Sequence, residues 1–316
     1  MSVAVCAVVF SMGASAQQPY PVKPIRLIAP TPPGSPPDVL ARLLSEKLAS
    51  SLGQPLVVDN RPGASGTIGL NVVAKAPADG YTLGMFSMPY VVAPSLIANM
   101  PYDTEKDLAA VSLIVRQSHI LVVPSGSPVK SVAELIKAAK GKPGILKFSS
   151  GGNGTPAHLE GELFKREAGV DIVHIPYKGA PAGAVALLTG DVDLMFGATV
   201  AVGPHIKSGK LRALATVAPR RIPAFPDIPS MVDLGYANVV VSPWDGIVAP
   251  SGTPKAVIAR LHLETKKFGA MPEMKQRLEA IGLEAADAGP DEFAALIRSE
   301  MRKWIKLIRD TGIKPG

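Results

Sequence analysis

Phe148-Ser149-Ser150-Gly151-Gly152-Asn153-Gly154-Thr155-Pro156 joins an apolar run to a helical one through a glycine-rich loop. Near the start, Ala29-Pro30-Thr31-Pro32-Pro33-Gly34-Ser35-Pro36-Pro37-Asp38 repeats the arrangement. A helix N-terminus leaves backbone N–H groups unpaired and carries the positive end of the helix dipole, so two such loops facing each other make a clamp for an anion. Gly152-x-Gly154-x-x-Ala157 also matches the dinucleotide fingerprint with alanine in the last place. The next strand ends Ile175-Pro176-Tyr177-Lys178-Gly179 with no acid to take a ribose hydroxyl, which argues against a nucleotide. What remains is Thr155 as N-cap, Pro156 in the first turn, and N–H groups offered to a carboxylate.

Outward from these loops the chain alternates short strands with helices. Residues 25–29, 55–59 and 81–86 read as buried strands, with helices over 39–52, stopped by Gly53, and about 70–75. A further glycine-rich loop, Asn60 to Gly69, precedes the second helix. From about residue 119 the logic repeats, with strands at 120–123, 145–149, 171–176, 192–196 and 211–217 and helices at 131–139, 157–168 and 182–189. The segment 219–240 is proline-rich and irregular. A strand at 246–250 and helices over 254–268, 271–281 and 290–311 close the chain. This alternation predicts an α/β fold of two lobes, each a mainly parallel sheet flanked by helices. The middle lobe is bracketed by crossings near 116–124 and 237–250, which make a two-segment hinge. The boundaries place 17–118 and 240–316 in lobe 1 and 119–239 in lobe 2.

Composition agrees with two globular lobes: 316 residues, 47% of them hydrophobic, with 30 glycines and 31 prolines for many short turns. The apolar stretch Val3 to Phe10 and the A-x-A pattern Ala14-Ser15-Ala16 read as a signal peptide over 1–16, cleaved to give an exported, soluble, periplasmic protein. No Lys or Arg precedes that stretch, which places the signal's true start upstream. Cys6, the one cysteine, lies inside it beside Val5, too bulky for a lipoprotein anchor, so the mature chain has no thiol chemistry. The net charge of +7 comes from basic residues dispersed along helices without interleaved aromatics, which argues against nucleic acid and leaves a field that steers acidic ligands.

No metal or cofactor is expected. The five histidines, at 119, 158, 174, 205 and 262, show no metal-ligand spacing. No G-x-S-x-G elbow is present, and Asp191 and Asp193 read as turn and cap residues rather than an acid/base pair. Ser65 has no base nearby in sequence, although a triad can be assembled from distant parts, so a secreted hydrolase or lyase acting on a carboxylated substrate stands as the alternative. His158, one turn into its helix, either faces the cleft or supports the loop from behind.

The chain resembles the periplasmic solute receptors of tripartite tricarboxylate transporters, the Bug family, through essentially its whole mature length. The resemblance rests on Tyr20-Pro21-x-Lys23-Pro24-Ile25-Arg26, Pro33-Gly34…Asp38-x-x-Ala41-Arg42, Asn60-Arg61-Pro62-Gly63-Ala64-x-Gly66 and Asp79-Gly80-Tyr81-Thr82-Leu83. It continues in Ser150-Gly151-Gly152-x-Gly154-Thr155-x-x-His158-Leu159, Pro176-Tyr177-Lys178-Gly179, Pro204-His205-Ile206 and Trp244…Gly246…Ala249-Pro250-Ser251-Gly252-Thr253-Pro254. It implies a type II periplasmic-binding-protein fold, monomeric and without catalytic residues, that closes on a small carboxylate and delivers it to the membrane permease subunits of the transporter. The residues it assigns to the ligand are Thr31, Gly34, Ser35, Asp38, Ala64, Ser65, Ser87, Ser150, Gly151, Gly154, Thr155, His158, Tyr177 and Gly197. The chain departs from the family's pattern in Ser35 for a second glycine, in Pro37 for a small or hydroxyl residue, and in Gly197 for a frequent Asp. Loss of that Asp removes a partner for a ligand ammonium, so amino acids are expected to bind poorly and a di- or tricarboxylate or an aromatic acid well.

Overall fold

The structure is a computed structural model and describes residues 20–312. The signal segment 1–16 and Cys6 lie outside the described residues. In chain order the elements are β1 (Ile25–Ala29), α1 (Pro36–Leu52), β2 (Leu56–Asn60), α2 (Thr67–Ala74), β3 (Thr82–Ser87), α3 (Met88–Leu96), β4 (Leu108–Gln117) and β5 (His119–Pro124). There follow α4 (Val132–Gly141), β6 (Lys147–Ser150), α5 (Pro156–Ala168), β7 (Val173–Pro176), α6 (Ala180–Thr189), β8 (Leu194–Ala198), α7 (Thr199–Lys207) and β9 (Leu211–Val217). The chain then runs through β10 (Trp244–Pro250), α8 (Lys255–Ala270), α9 (Pro272–Ala280), β11 (Leu283–Ala288) and α10 (Pro290–Thr311).

The strands form two sheets, ordered β11-β4-β10-β3-β1-β2 and β7-β6-β8-β5-β9. Apolar residues bury both faces of each, so the runs read as continuous rather than alternating. Ile25 and Leu27 of β1 join one core cluster and Ile28 another; Leu121 and Val123 of β5 do the same against Ile120 and Val122.

Both sheets are mixed rather than wholly parallel. β1 runs parallel to β2 and β3, and β6 parallel to β7 and β8, as the helical crossovers between them require. β10 is antiparallel to β3 and β4, and β5 antiparallel to β8 and β9. The reason is the hinge: β5 leaves β4 through Ser118 alone and enters the second sheet without a crossover helix. The return from β9 to β10 takes the irregular segment 218–243. The helices α3 and α7 and the strands β4 and β11 were absent from the sequence reading.

Candidate functional site

A cavity of about 720 Å³ lies between the two sheets' helix-bearing ends. It is lined by the N-cap residues of six helices: Ser35 (α1), Gly66 (α2), Ser87 (α3), Thr155 (α5), Gly179 (α6) and Ala198 (α7). None of the six accepts a side-chain capping hydrogen bond. Six positive dipole ends therefore converge on one space. Among the described residues no Asp or Glu lines it, and Lys178 is the one lining residue of fixed positive charge. Thr31 Oγ1, Ser35 Oγ and Trp244 Nε1 belong to lining residues and are buried without a partner among the described residues.

The β1–α1 loop is braced from behind. Gly34, at φ +78°, donates its N–H to Asp38 Oδ2 at 2.8 Å, and Asn60 Nδ2 donates to Asp38 Oδ1 at 2.9 Å and to Thr31 O at 3.1 Å. Arg42 pairs with Asp38 at 2.9 Å. Burial pushes the Asp38 carboxyl upward, but the hydrogen bonds from Arg42, Gly34 and Asn60 outweigh it and hold the group below the usual carboxylate range. Asp38 and Gly34 do not line the cavity; they shape the loop that presents Thr31 and Ser35. Pro36 and Pro37 remove two N–H groups from the first turn of α1.

Residues 63–66 take four consecutive positive φ values, 124°, 45°, 53° and 88°. Two of them, Ala64 and Ser65, are not glycine, so the backbone stores strain beside the cavity that both line. Gly66 leaves room for Tyr90, whose ring would lie 2.2 Å from an added Cβ.

The β6–α5 loop is the second wall. Ser150 Oγ accepts the Gly152 N–H at 3.0 Å and meets His174 Nε2 at 2.7 Å, while Thr155 Oγ1 donates to Gly152 O at 2.6 Å. Gly154 donates its N–H to His158 Nδ1 at 3.1 Å, and the His158 ring stacks on His174 with centroids 4.1 Å apart. Burial pushes both imidazoles down, His158 to about 4 and His174 to about 3, so both are neutral and Nδ1 of His158 is free to accept. This decides the open alternative: His158 supports the loop from behind. Ser150 and Gly154 likewise stand behind the lining, whereas Gly151 and Thr155 face it, with Tyr177 alongside.

Gly197 does not reach the cavity. A Cβ there would point at Val202, 2.4 Å away, so a side chain at this position of β8 packs against α7 rather than a ligand. The expectation that Gly197 shapes the pocket is corrected on that ground. Residues that sequence reasoning missed take its place: Gln117, His119, Pro243 and Trp244 line the cavity. Single residues at strand ends carry no local signature, and only the pairing of the sheets brings them together. Behind them, Ser87 Oγ donates to Asp245 Oδ1 at 2.5 Å and Gln117 Nε2 to Asp245 Oδ2 at 2.6 Å. Burial pushes the Asp245 carboxyl up to about 6 against these hydrogen bonds and the field of His119.

Among the described residues no group of three or more His, Cys, Asp or Glu is placed to hold a metal ion, and no helix is long and apolar enough to cross a membrane.

A two-lobed α/β fold with a donor-lined cavity between the lobes is that of a solute-binding receptor. The family described as the tripartite tricarboxylate transporter family receptor matches residues 26–313, and the chain belongs to it. Its relatives include BugT of Bordetella pertussis (strain Tohama I), 39% identical over 297 residues, covering 93% of this chain and 91% of that protein. A Rhodopseudomonas palustris protein solved with adipate superposes with a TM-score of 0.90 at 32% identity, over 94% of this chain and all of that one (100%). MatC from Rhodopseudomonas palustris, solved with bound malate, gives a TM-score of 0.85 at 28% identity, over 92% of this chain and 100% of that one.

Proposed function

We propose that the chain is a periplasmic receptor that closes on a small organic acid and delivers it to the membrane permease subunits of a tripartite transporter, as a monomer and without chemistry of its own. On this reading 17–118 and 240–316 form one lobe, 119–239 the other, and the ligand is a di- or tricarboxylate or an aromatic acid. The observation that carries it is the convergence of six uncapped helix N-termini on a cavity with no carboxylate in its lining. Thr31, Ser35, Ala64, Ser65, Ser87, Gly151, Thr155 and Tyr177 contact the ligand, while Gly34, Asp38, Ser150, Gly154 and His158 hold the loops that do so. The adipate and malate bound by two structural relatives are acids of this class.

Amino acids remain poor ligands on this reading, for a reason other than Gly197: an ammonium entering the cavity meets six positive dipole ends and no lining carboxylate. A thermal-shift screen of the mature chain against mono-, di- and tricarboxylates, aromatic acids and amino acids tests the proposal, because a ligand of the folded state raises its melting temperature by mass action. A dose-dependent rise with one class of acid that is recovered unchanged is the expected result. No rise with any acid, or conversion of the acid that produces one, overturns it.

A further inference from the structure

Exposed residues in a lining mark where a cavity opens to water. Here they are Pro62, Gly63, Ala64, Ser65 and Lys178, while every other lining residue is buried or half-buried. Pro62 to Ser65 belong to the loop before α2, beside the first sheet, and Lys178 to the loop between β7 and α6, beside the second. The mouth therefore has one uncharged side and one side that carries a lysine. The backbone under that lysine is fixed: Tyr177 N–H donates to Ser150 O at 3.0 Å and Gly179 N–H donates to Gly151 O at 3.1 Å, which ties the β7–α6 loop to the β6–α5 loop.

The side chain of Lys178 is unpaired, forming no ion pair or hydrogen bond with any described residue. Arg61, the cation next to the other side of the mouth, is tied to Asp59 at 3.1 Å and does not line the cavity. An exposed ammonium on a flexible stem stays hydrated, and its pairing with an anion in water adds little to affinity. It acts during approach instead. An uncompensated charge at the rim of a cleft attracts an anion over about a Debye length, about 8 Å at physiological ionic strength. Deeper in the cavity the groups that meet the acid are neutral donors, backbone N–H groups at helix N-termini and the hydroxyls of Thr31 and Ser35.

We propose that Lys178 is the capture residue of the receptor: it draws the acid to the mouth and sets the rate of association, while the neutral donors inside set the rate of release. This rests on the receptor reading above and names the residue that governs entry to the same site. A charge at a rim changes association and its dependence on salt, whereas a desolvated contact changes dissociation. The two roles are therefore separable by kinetics.

The test is stopped-flow mixing of the full mature chain with adipate, malate and benzoate, followed through tryptophan fluorescence beside calorimetric titration, since Trp244 lies in the lining. At an ionic strength of about 0.01 M, where the Debye length is about 30 Å, Lys178→Gln associates about threefold more slowly than the wild type, the effect of one charge about 6 Å from the path of an anion in water. Lys178→Glu, which changes the charge by two, associates about tenfold more slowly, and at about 1 M salt all three proteins associate alike. Dissociation rates stay within about twofold throughout. Lys178→Arg keeps the charge and the wild-type rate, and Lys137→Gln, which removes the same charge from the exposed face of α4 outside the lining, associates within about twofold of the wild type. Association of Lys178→Gln at the wild-type rate in low salt, an equal loss in Lys137→Gln, or a change confined to dissociation overturns the inference and leaves the receptor reading standing. Binding of none of the three acids by the wild type removes both.

Discussion

Ser35 and Thr31 line the cavity, and their hydroxyl oxygens are buried with no partner among the described residues. An unpaired buried hydroxyl costs about 1–3 kcal/mol, which the free protein bears and a ligand oxygen relieves. Ser35→Ala therefore leaves the melting temperature of the ligand-free chain unchanged or raised, while weakening acid binding by about 0.5–1.5 kcal/mol. Denaturation and titration of the one variant check both signs; lost stability with unaltered binding would assign the hydroxyl to the fold. Gly154 behaves oppositely. It sits at φ +75° with an added Cβ only 2.8 Å from Leu96, so Gly154→Ala costs stability by about 1–2 kcal/mol and weakens binding as the loop shifts. Chemical denaturation of the ligand-free variant measures the first effect. Glycine, proline and hydroxyl residues in loops were legible because such residues have few other uses there. His119 and Gln117 were not, since a lone polar residue ending an apolar strand reads as edge or core alike.

The same contrast holds for whole elements. The three C-terminal helices stand out in sequence through their apolar spacing, and α8, α9 and α10 occupy nearly the spans expected. Leu283-Glu-Ala-Ala-Asp-Ala288 has the composition of a helix but forms β11, because pairing with β4 at the sheet edge overrides propensity. The β6–α5 loop makes a prediction at this scale, since neutral imidazoles hold it. With His158 lowered from 6.5 to about 4 and His174 to about 3, the unfolded chain binds more protons than the folded one below pH 6.5. This contribution is present above pH 6.5 and is lost as pH falls through the folded values. Asp245 runs the other way: raised from 3.8 to about 6, it stabilises the fold at low pH and that contribution is lost as pH rises through about 6. Ligand-free stability between pH 4 and 7, followed by denaturant titration, is expected to fall toward acid, less steeply in His158→Gln and more steeply in Asp245→Asn. Identical profiles in all three proteins would detach the loop from its imidazoles.

At the scale of the molecule the two lobes touch across the cavity, so a ligand bridging Ser35 and Ser65 on one side and Gly151 and Thr155 on the other is read by both lobes at once. On the proposed reading an acid closes the lobes only by as much as it binds a closed arrangement better than an open one. The contact rests on small groups: Gly179, the N-cap of α6, would carry a Cβ 3.0 Å from the Pro32 ring of the opposite loop. A leucine there is a wedge between the lobes. Because Gly179 also sits at φ +99°, backbone strain alone would disturb α6, and Gly190 at the other end of that helix supplies the control. Gly190 lies in the αL region at φ +82° with nothing within 4 Å of an added Cβ, so it bears backbone strain, though less than Gly179 at ψ 158°, with no contact across the cavity. Gly179→Leu is expected to weaken binding of the preferred acid at least about tenfold and to abolish the contraction in radius of gyration that saturating acid produces in the wild type. Gly190→Leu loses some stability but keeps both the affinity and the contraction. Small-angle scattering with and without acid, run beside titration, separates the two, and equal behaviour of both variants would place the effect in α6 rather than in the closing of the lobes.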